Sequence, residues 1–401
     1  MKPTEQLSAF FANVAQTSLE PMGLVVREAH GCAIRTADGK EYLDLLAGIG
    51  VAALGHGNAE VLAAINAQAQ RHLHVMVYGE FVQDAQAALA SRLAGLLPAQ
   101  LSNVYFTNSG AEAVEGAIKL VRKATGRTRI MSFRGGFHGD TTGAVAVGGN
   151  PLYRDPFLPL LPDVDFLTFN DIESLRSIDE RTAAVIVEPV QAEAGVVLPD
   201  SGFLAALRSR CDETGALLIF DEVITGLGRT GSLFAFEQEG AVPDVLLLAK
   251  ALGGGLPLGA FIASKKLMRT LAEDPPLGHV TTFGGHPLSC AAGLACLEVI
   301  LRDDLPARAE SIGHAFADRL RQAFPSGRLK ELRQRGLLLG LEMDTADFVP
   351  KFSKECRAEG LIMGWTLHDD RVVRLAPPLT ITEAEIDEAA HRMSRAAVRV
   401  G

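Results

Sequence analysis

Asp221 and Lys250 have the types and the spacing of a site for carbonyl chemistry. Asp221 closes the apolar run LLIFD, and Lys250, 29 residues later, follows the apolar run VLLLA. A lysine after such a run is desolvated, which lowers its pKa below the free value of about 10.4 and favours the neutral, nucleophilic amine. The alternative is a snorkelling strand-end lysine, but the glycines Gly253–Gly255 just beyond leave room for a ligand to come close. A carboxylate after four apolar residues is costly unless it finds a partner. An amine able to form a Schiff base and an acid able to keep a ring nitrogen protonated together predict pyridoxal 5'-phosphate (PLP) as cofactor.

Other segments could complete such a site. Ser109 and Glu112 fit an S-x-x-E capping box that opens a helix after a strand, and Gly110 would let backbone approach a ligand. Free N–H groups and a partial positive charge at a helix N-terminus suit a phosphate monoester, although an ordinary helix cap has the same sequence. In Gly135-Gly136-Phe137-His138-Gly139 the glycines would let the Phe137 ring lie on a flat cofactor. The plainer alternative is a glycine-rich turn with a packed Phe137 and a hydrogen-bonded His138. Glu188 and Glu193, at and beyond the end of AAVIVEP, read in isolation as solvated strand-end acids. Gly226–Gly231 matches G-x-G-x-x-G, but it does not directly follow a strand and Lys250 stands where a dinucleotide site needs an acid.

Positioning these groups requires a large α/β unit. Strands are expected at Val104–Thr107, Ile130–Phe133, Ala184–Glu188, Leu217–Asp221, Val245–Ala249 and Gly259–Ala263, with helices such as Ala111–Lys123 and Gly202–Thr214 between them. This alternation predicts a mainly parallel sheet whose ligands sit beyond the carboxyl ends of its strands. After Pro287–Leu301 the pattern becomes α+β, with a helix over Leu305–Ala323, strands at Leu337–Glu342 and Val372–Leu375, and a closing helix at Glu383–Val398. The expected organisation is an N-terminal segment, 1–55, beside a small C-terminal domain, 301–401, with the large domain at 56–300.

Composition narrows the partners. A net charge of −10 argues against nucleic acid and anionic membranes. No apolar run approaches a membrane span, the N-terminal apolar stretch is too short for a signal peptide, and the ten histidines show no metal-ligand spacing. Five dispersed cysteines read as reduced, buried thiols, so a cytoplasmic protein is expected.

The segments LDLLAGIGVAALGH, NSGAEAVEGAIKLVR, FHGDTTGA, AAVIVEPVQAEAG, DEVITGLGRTG, PDVLLLAKALGGGLPLGAF, TTFGGHPLSCAA and VRLAPPLTIT together resemble the class III (ω-) aminotransferases, PLP enzymes of fold type I that include acetylornithine and ornithine aminotransferases. The resemblance runs from about Gly23 to the C-terminus. It implies that Lys250 is the Schiff-base lysine and proton shuttle, Asp221 the partner of the pyridine nitrogen, and Val223 and Phe137 the residues on the two ring faces. Ser109, Gly110 and Ala111 would hold the phosphate, with Thr282 reaching it from the neighbouring subunit of a homodimer. His138 would border the cofactor and Glu188 would lie near its hydroxyl. Glu193 and Arg374 would form a switch, paired when an amine enters and parted when a dicarboxylate such as 2-oxoglutarate enters. Tyr78 belongs to the substrate-entrance region.

Two departures bear on substrate. Where the acetylornithine and ornithine enzymes carry arginine after FHG, this chain has Asp140, which disfavours a substrate carboxylate and favours an ammonium, hydroxyl or neutral tail. Ile224 replaces the usual glutamine of DEVQTG. The expected reaction is ping-pong transfer of a primary amino group from an amine or ω-amino compound to a 2-oxo acid, 2-oxoglutarate being favoured over pyruvate. An acetylornithine- or ornithine-type reaction, a PLP aminomutase, racemase or decarboxylase, and a non-catalytic PLP-binding protein are the alternatives.

Overall fold

The structure is a computed structural model, and it describes residues 2–400. Its largest sheet contains β4 (Asn103–Thr107), β5 (Arg129–Phe133), β6 (Val164–Leu167), β7 (Thr182–Val187), β8 (Leu217–Asp221), β9 (Val245–Leu248) and β10 (Gly259–Ala263), in the spatial order β4-β10-β9-β8-β7-β5-β6. Only β10 runs against its neighbours; the adjacent pairs from β9 through β8, β7 and β5 to β6 are parallel. In β7 every residue of TAAVIV is buried, as expected of a central strand covered on both faces. One cover is the helix Gly110–Thr125, whose Ala113, Val114, Ala117, Ile118 and Val121 are buried against the sheet. Gly116 admits the Phe261 ring of β10; a Cβ there would lie 2.3 Å from that ring. Each large apolar side chain buried in this layer contributes about 1.5–3 kcal/mol.

Two smaller sheets flank this unit. One joins β1 (Val26–His30), β2 (Ala33–Thr36) and β3 (Glu41–Asp44) to β13 (Leu361–Ile362), which runs parallel to β3. The other has the order β11-β12-β15-β14, from Leu329–Arg335, Leu338–Met343, Val372–Leu375 and Gly364–Trp365 respectively. Helices Leu305–Ala323 and Phe348–Ala358 both pack on the closing helix Glu383–Val400.

The expected elements are present with small shifts. Helix 305–323 and strand 372–375 have the expected bounds, whereas β7 and β9 each end one residue early, at Val187 and Leu248. The helix expected from Gly202 starts at Phe203, because Gly202 takes φ +83°. The G-x-G-x-x-G segment opens no α-helix; the next element is a short 3-10 turn, Ala235–Gln238. Its Arg229 is buried instead, donating from Nη1 to Leu337 O at 2.9 Å and Pro377 O at 2.6 Å. The motif therefore ties the large unit to the strands after residue 330. All five cysteines are buried and free.

Candidate active site

Strand ends supply the reactive groups. Asp221 is the last residue of β8 and is buried. Its Oδ2 lies 2.8 Å from His138 Nδ1, and its Oδ1 accepts from Val223 N at 3.1 Å. The partner expected for this acid was a ring N–H, but within the chain His138 already answers the cost of burying it. Lys250, by contrast, follows β9 after one intervening residue, Ala249. It starts a 3-10 turn with φ +50°, the left-handed region that is strained for a non-glycine residue. Enclosure pushes its pKa down to about 8, with the Arg374 charge acting in the same direction and Asp221, Glu193 and Glu188 opposing.

The helix starting at Gly110 opens beside them. Ser109 Oγ accepts from Glu112 N at 3.2 Å, the first half of the expected capping box. The reciprocal half is displaced by one residue: Glu112 Oε2 accepts from Asn108 N and Nδ2, both at 2.8 Å. A Cβ on Gly110 would sit 3.0 Å from the Val223 methyls. Gly139, with φ +114°, approaches Ala111 so closely that a Cβ would lie 2.7 Å from the Ala111 methyl.

Glu188 is a buried, backbone-bonded acid, not the solvated strand-end residue its position in sequence suggests. Oε1 accepts from Phe137 N at 2.9 Å and Oε2 from Ala192 N at 3.2 Å, so it fixes the turn that carries Phe137. Burial pushes its pKa up to about 7, opposed by the nearby His138. Glu193 is likewise buried, and its Oε1 accepts from Arg374 Nη1 of β15. Oε2 accepts from Leu367 N at 3.0 Å. Arg374 Nε, also buried, has no partner among the described residues.

A cavity of about 710 Å³ is bordered by Ser109–Ala111, Phe137–Thr141, Glu188, Glu193, Asp221, Val223, Ile224 and Lys250; Arg374 is not among its lining residues. Asp140 stands exposed at its edge. Val51 also borders it, and neighbouring Gly50 lies close to Ile224 and the Lys250 side chain. Tyr78 does not border it: Tyr78 lines a separate pocket with Thr281 and Gly284. Thr282 is exposed and outside the cavity.

The family model of the class-III aminotransferases matches residues 14–397. This chain belongs to that family. It is 43% identical over 370 residues to the acetylornithine aminotransferase of Methanopyrus kandleri, covering 92% of each chain. Among solved structures, the ornithine aminotransferase of Toxoplasma gondii is similar at 30% identity and TM-score 0.92, covering 99% of this chain and 94% of the other. A thermostable (S)-enantioselective ω-transaminase from Thermomicrobium roseum is similar at 31% identity and TM-score 0.92, covering 100% and 99%. The fold is therefore that of the fold type I transaminases, and the cofactor of this class III aminotransferase is PLP.

The side chains present fit that cofactor. A glycine at 110 keeps space between a helix N-terminus and Val223, a lysine amine and a buried acid face one cavity, and an aromatic ring borders it. Sequence reasoning missed Glu222, which is 1% exposed and accepts from Ala235 N at 2.6 Å and Phe236 N at 2.9 Å. Burial raises its pKa to about 7. The signal was available, since Glu222 continues the same apolar run as Asp221. His368 was missed too, and no local pattern marks it.

Proposed function

We propose that this aminotransferase moves a primary amino group from an amine or ω-amino donor to 2-oxoglutarate in two half-reactions at one site. The observation that carries this reading is the buried Glu193–Arg374 pair beside Lys250, with the exposed acid Asp140 at the cavity edge. When bound, PLP supplies an aldehyde that takes up the amino group and a ring that accepts electrons. Lys250, its pKa brought near neutrality by enclosure, is suited to carry a proton at Nζ between substrate and cofactor carbons. Asp221, oriented by His138, would hold a proton on the ring nitrogen. Phe137 and Val223 would confine the ring, while the N–H groups at Ser109–Ala111 would receive the phosphate.

Arg374 is a bidentate carboxylate binder whenever Glu193 releases it. Paired, the two charges cancel and suit a donor without a second carboxylate; parted, Arg374 suits a dicarboxylate. Asp140 favours donors ending in an ammonium, hydroxyl or neutral group, because a carboxylate beside it would be repelled. Identity of 43% to an acetylornithine aminotransferase supports a second reading, with acetylornithine or ornithine as donor.

A homodimer with shared sites is part of the proposal. Tyr78, Phe81, Val82, Leu277, Val280 and Phe283 leave 36–95% of their surface exposed. His74 and Phe283 hold these two segments together, their rings 4.9 Å apart. Exposed apolar side chains on two adjoining segments are what a second subunit would cover, and such an interface would place Thr282 in the partner's reach. No helix among the described residues is long and apolar enough to cross a membrane; a cytoplasmic location is the expectation from the cysteines. The test is a donor screen with PLP-saturated protein, following glutamate from 2-oxoglutarate and alanine from pyruvate. Neutral-tail amines and diamines should exceed acetylornithine and ornithine in kcat/KM. The reverse order would establish the second reading, and no transfer from any donor would reject both.

A further inference from the structure

Glu193 is held from two sides, and the second belongs to none of the motifs above. Segment 366–369, between β14 and β15, delivers Leu367 N–H to Glu193 Oε2 at 3.0 Å and His368 N–H to Glu193 O at 3.0 Å. Thr366 Oγ1 donates to Asp369 O at 2.8 Å and closes the loop on itself. The His368 side chain ties the loop to the turn before Phe137: its Nδ1 lies 2.8 Å from Gly135 O. A carbonyl oxygen only accepts, so Nδ1 carries the proton. Burial holds the imidazole below its ordinary pKa, and the ring is a neutral donor near pH 7. The ring also borders Phe137, at 6.3 Å, and Tyr153, at 5.7 Å. Gly135 in turn packs on the turn bearing Glu193; a Cβ there would be 3.1 Å from Ala194 Cβ.

The two members of the ion pair are unequally satisfied. Glu193 has a donor on each carboxylate oxygen, whereas buried Arg374 has an Nε–H with no partner among the described residues. Burying a carboxylate is tolerable when its oxygens are bonded, and losing one donor is expensive. The loop therefore stabilises the closed pair from the acid's side, and the bond from His368 to Gly135 is the side-chain contact that ties the loop to the turn before Phe137.

We propose that His368 is a positioning residue that sets how readily Glu193 leaves Arg374, and so balances the site between neutral-tail donors and dicarboxylate acceptors. This rests on the reading of Glu193 and Arg374 as a switch. Loosening the anchor weakens the hold of Leu367 N–H on Glu193, and Arg374 becomes more available to a carboxylate. Affinity for a dicarboxylate then rises while affinity for a neutral-tail amine falls. General damage to the site would weaken both.

Three His368 variants separate the hydrogen bond from the ring. His368→Phe keeps the ring but loses the N–H, His368→Ala loses both, and His368→Asn keeps a donor near the Nδ1 position without the ring. The measurement is the Kd of PLP-loaded protein for glutarate, a dicarboxylate without a reactive carbonyl, beside the KM for benzylamine and the KM for pyruvate. Phe and Ala should tighten glutarate about 5-fold, the size of one neutral hydrogen bond. They should raise the benzylamine KM and leave the pyruvate KM unchanged, with Asn close to wild type. If benzylamine is not turned over, glutarate against pyruvate binding carries the same comparison. Glu193→Gln is the control for the switch and should tighten glutarate further. If Glu193→Gln tightens glutarate but the Phe variant, folded by its melting curve, does not, His368 has no such role and the switch stands. If Glu193→Gln has no effect, the switch reading falls and this inference with it.

Discussion

Around Asp221 the cavity wall is made of strand ends and a helix start that the central sheet holds in register. Around Asp140 and Glu193 it is made of turns, and the partner of Glu193, Arg374, comes from strand β15, far away in the chain. Asp221 is paired in the sheet to Leu247, Lys250 follows β9 after one intervening residue, and Gly110 stands beyond β4, so their spacing follows from strand pairing. Arg374 reaches Glu193 from a different sheet, and the bonds that settle the acid come from the 366–369 loop. Rigid strand ends suit chemistry that must not vary, since reacting groups tolerate little misplacement. An ion pair that joins a turn to a separate sheet, and that under the proposed switch parts and closes, would suit a site accepting two substrates in turn.

Substitutions at the two ends should therefore fail differently. Lys250→Ala should lower kcat roughly 10⁴-fold for every donor and acceptor alike, because a proton carrier is lost from both half-reactions. An activity loss confined to one half-reaction would break the contrast. Asp221→Asn should cost on the order of 10²–10³-fold, again for all substrates. A substrate-selective loss would place Asp221 on the wrong side of the comparison. Asp140→Arg should change kcat little but improve kcat/KM for carboxylate-bearing donors about 10-fold, while penalising diamines. Equal effects on neutral and charged donors would show that residue 140 does not read the donor tail.

The smallest expected effect is a pH dependence of stability in cofactor-free protein. Glu188 and Glu222 are raised from 4.5 to about 7 in the fold, so their favourable contribution is present below pH 4.5 and is lost as pH rises through 7. Lys250 is lowered from 10.5 to about 8, so its contribution is present above pH 10.5 and is lost as pH falls through 8. Each shift amounts to about 3 kcal/mol. Relative to wild type, Glu222→Gln should lose less stability between pH 4.5 and 7 in urea titrations, and Lys250→Met less between pH 10.5 and 8. Parallel pH profiles for wild type and variant would contradict the burial argument.

Local pattern carried much of the fold. The helix over 305–323 and the apolar strands ending in Asp221 and before Lys250 were legible because side-chain periodicity is written residue by residue. The reciprocal half of the capping box was misplaced by one residue, since the choice between Ser109 N and Asn108 N for Glu112 is made by side-chain geometry. Glu188 in isolation read as a solvated acid, because the donors that justify its burial lie 4 and 51 residues away. The pairing of β13 with β3 brings residue 361 against residue 43, and neither two-residue β13 nor its partner advertises the other.

By itself the sequence determined the aminotransferase family and its cofactor, the buried acid that closes one strand and the amine just beyond another, and the α/β alternation that brings strand ends to a common edge. Tertiary structure alone decided what each buried charge is paired with. His138 beside Asp221, Leu367 N–H on Glu193, Arg229 on the carbonyls of Leu337 and Pro377, and an Arg374 Nε without a partner among the described residues are matters of atomic proximity. The physical reason is range. Hydrophobic periodicity is local and additive along the chain, whereas the free energy of a buried charge depends on the few atoms packed around it, which segments hundreds of residues apart supply.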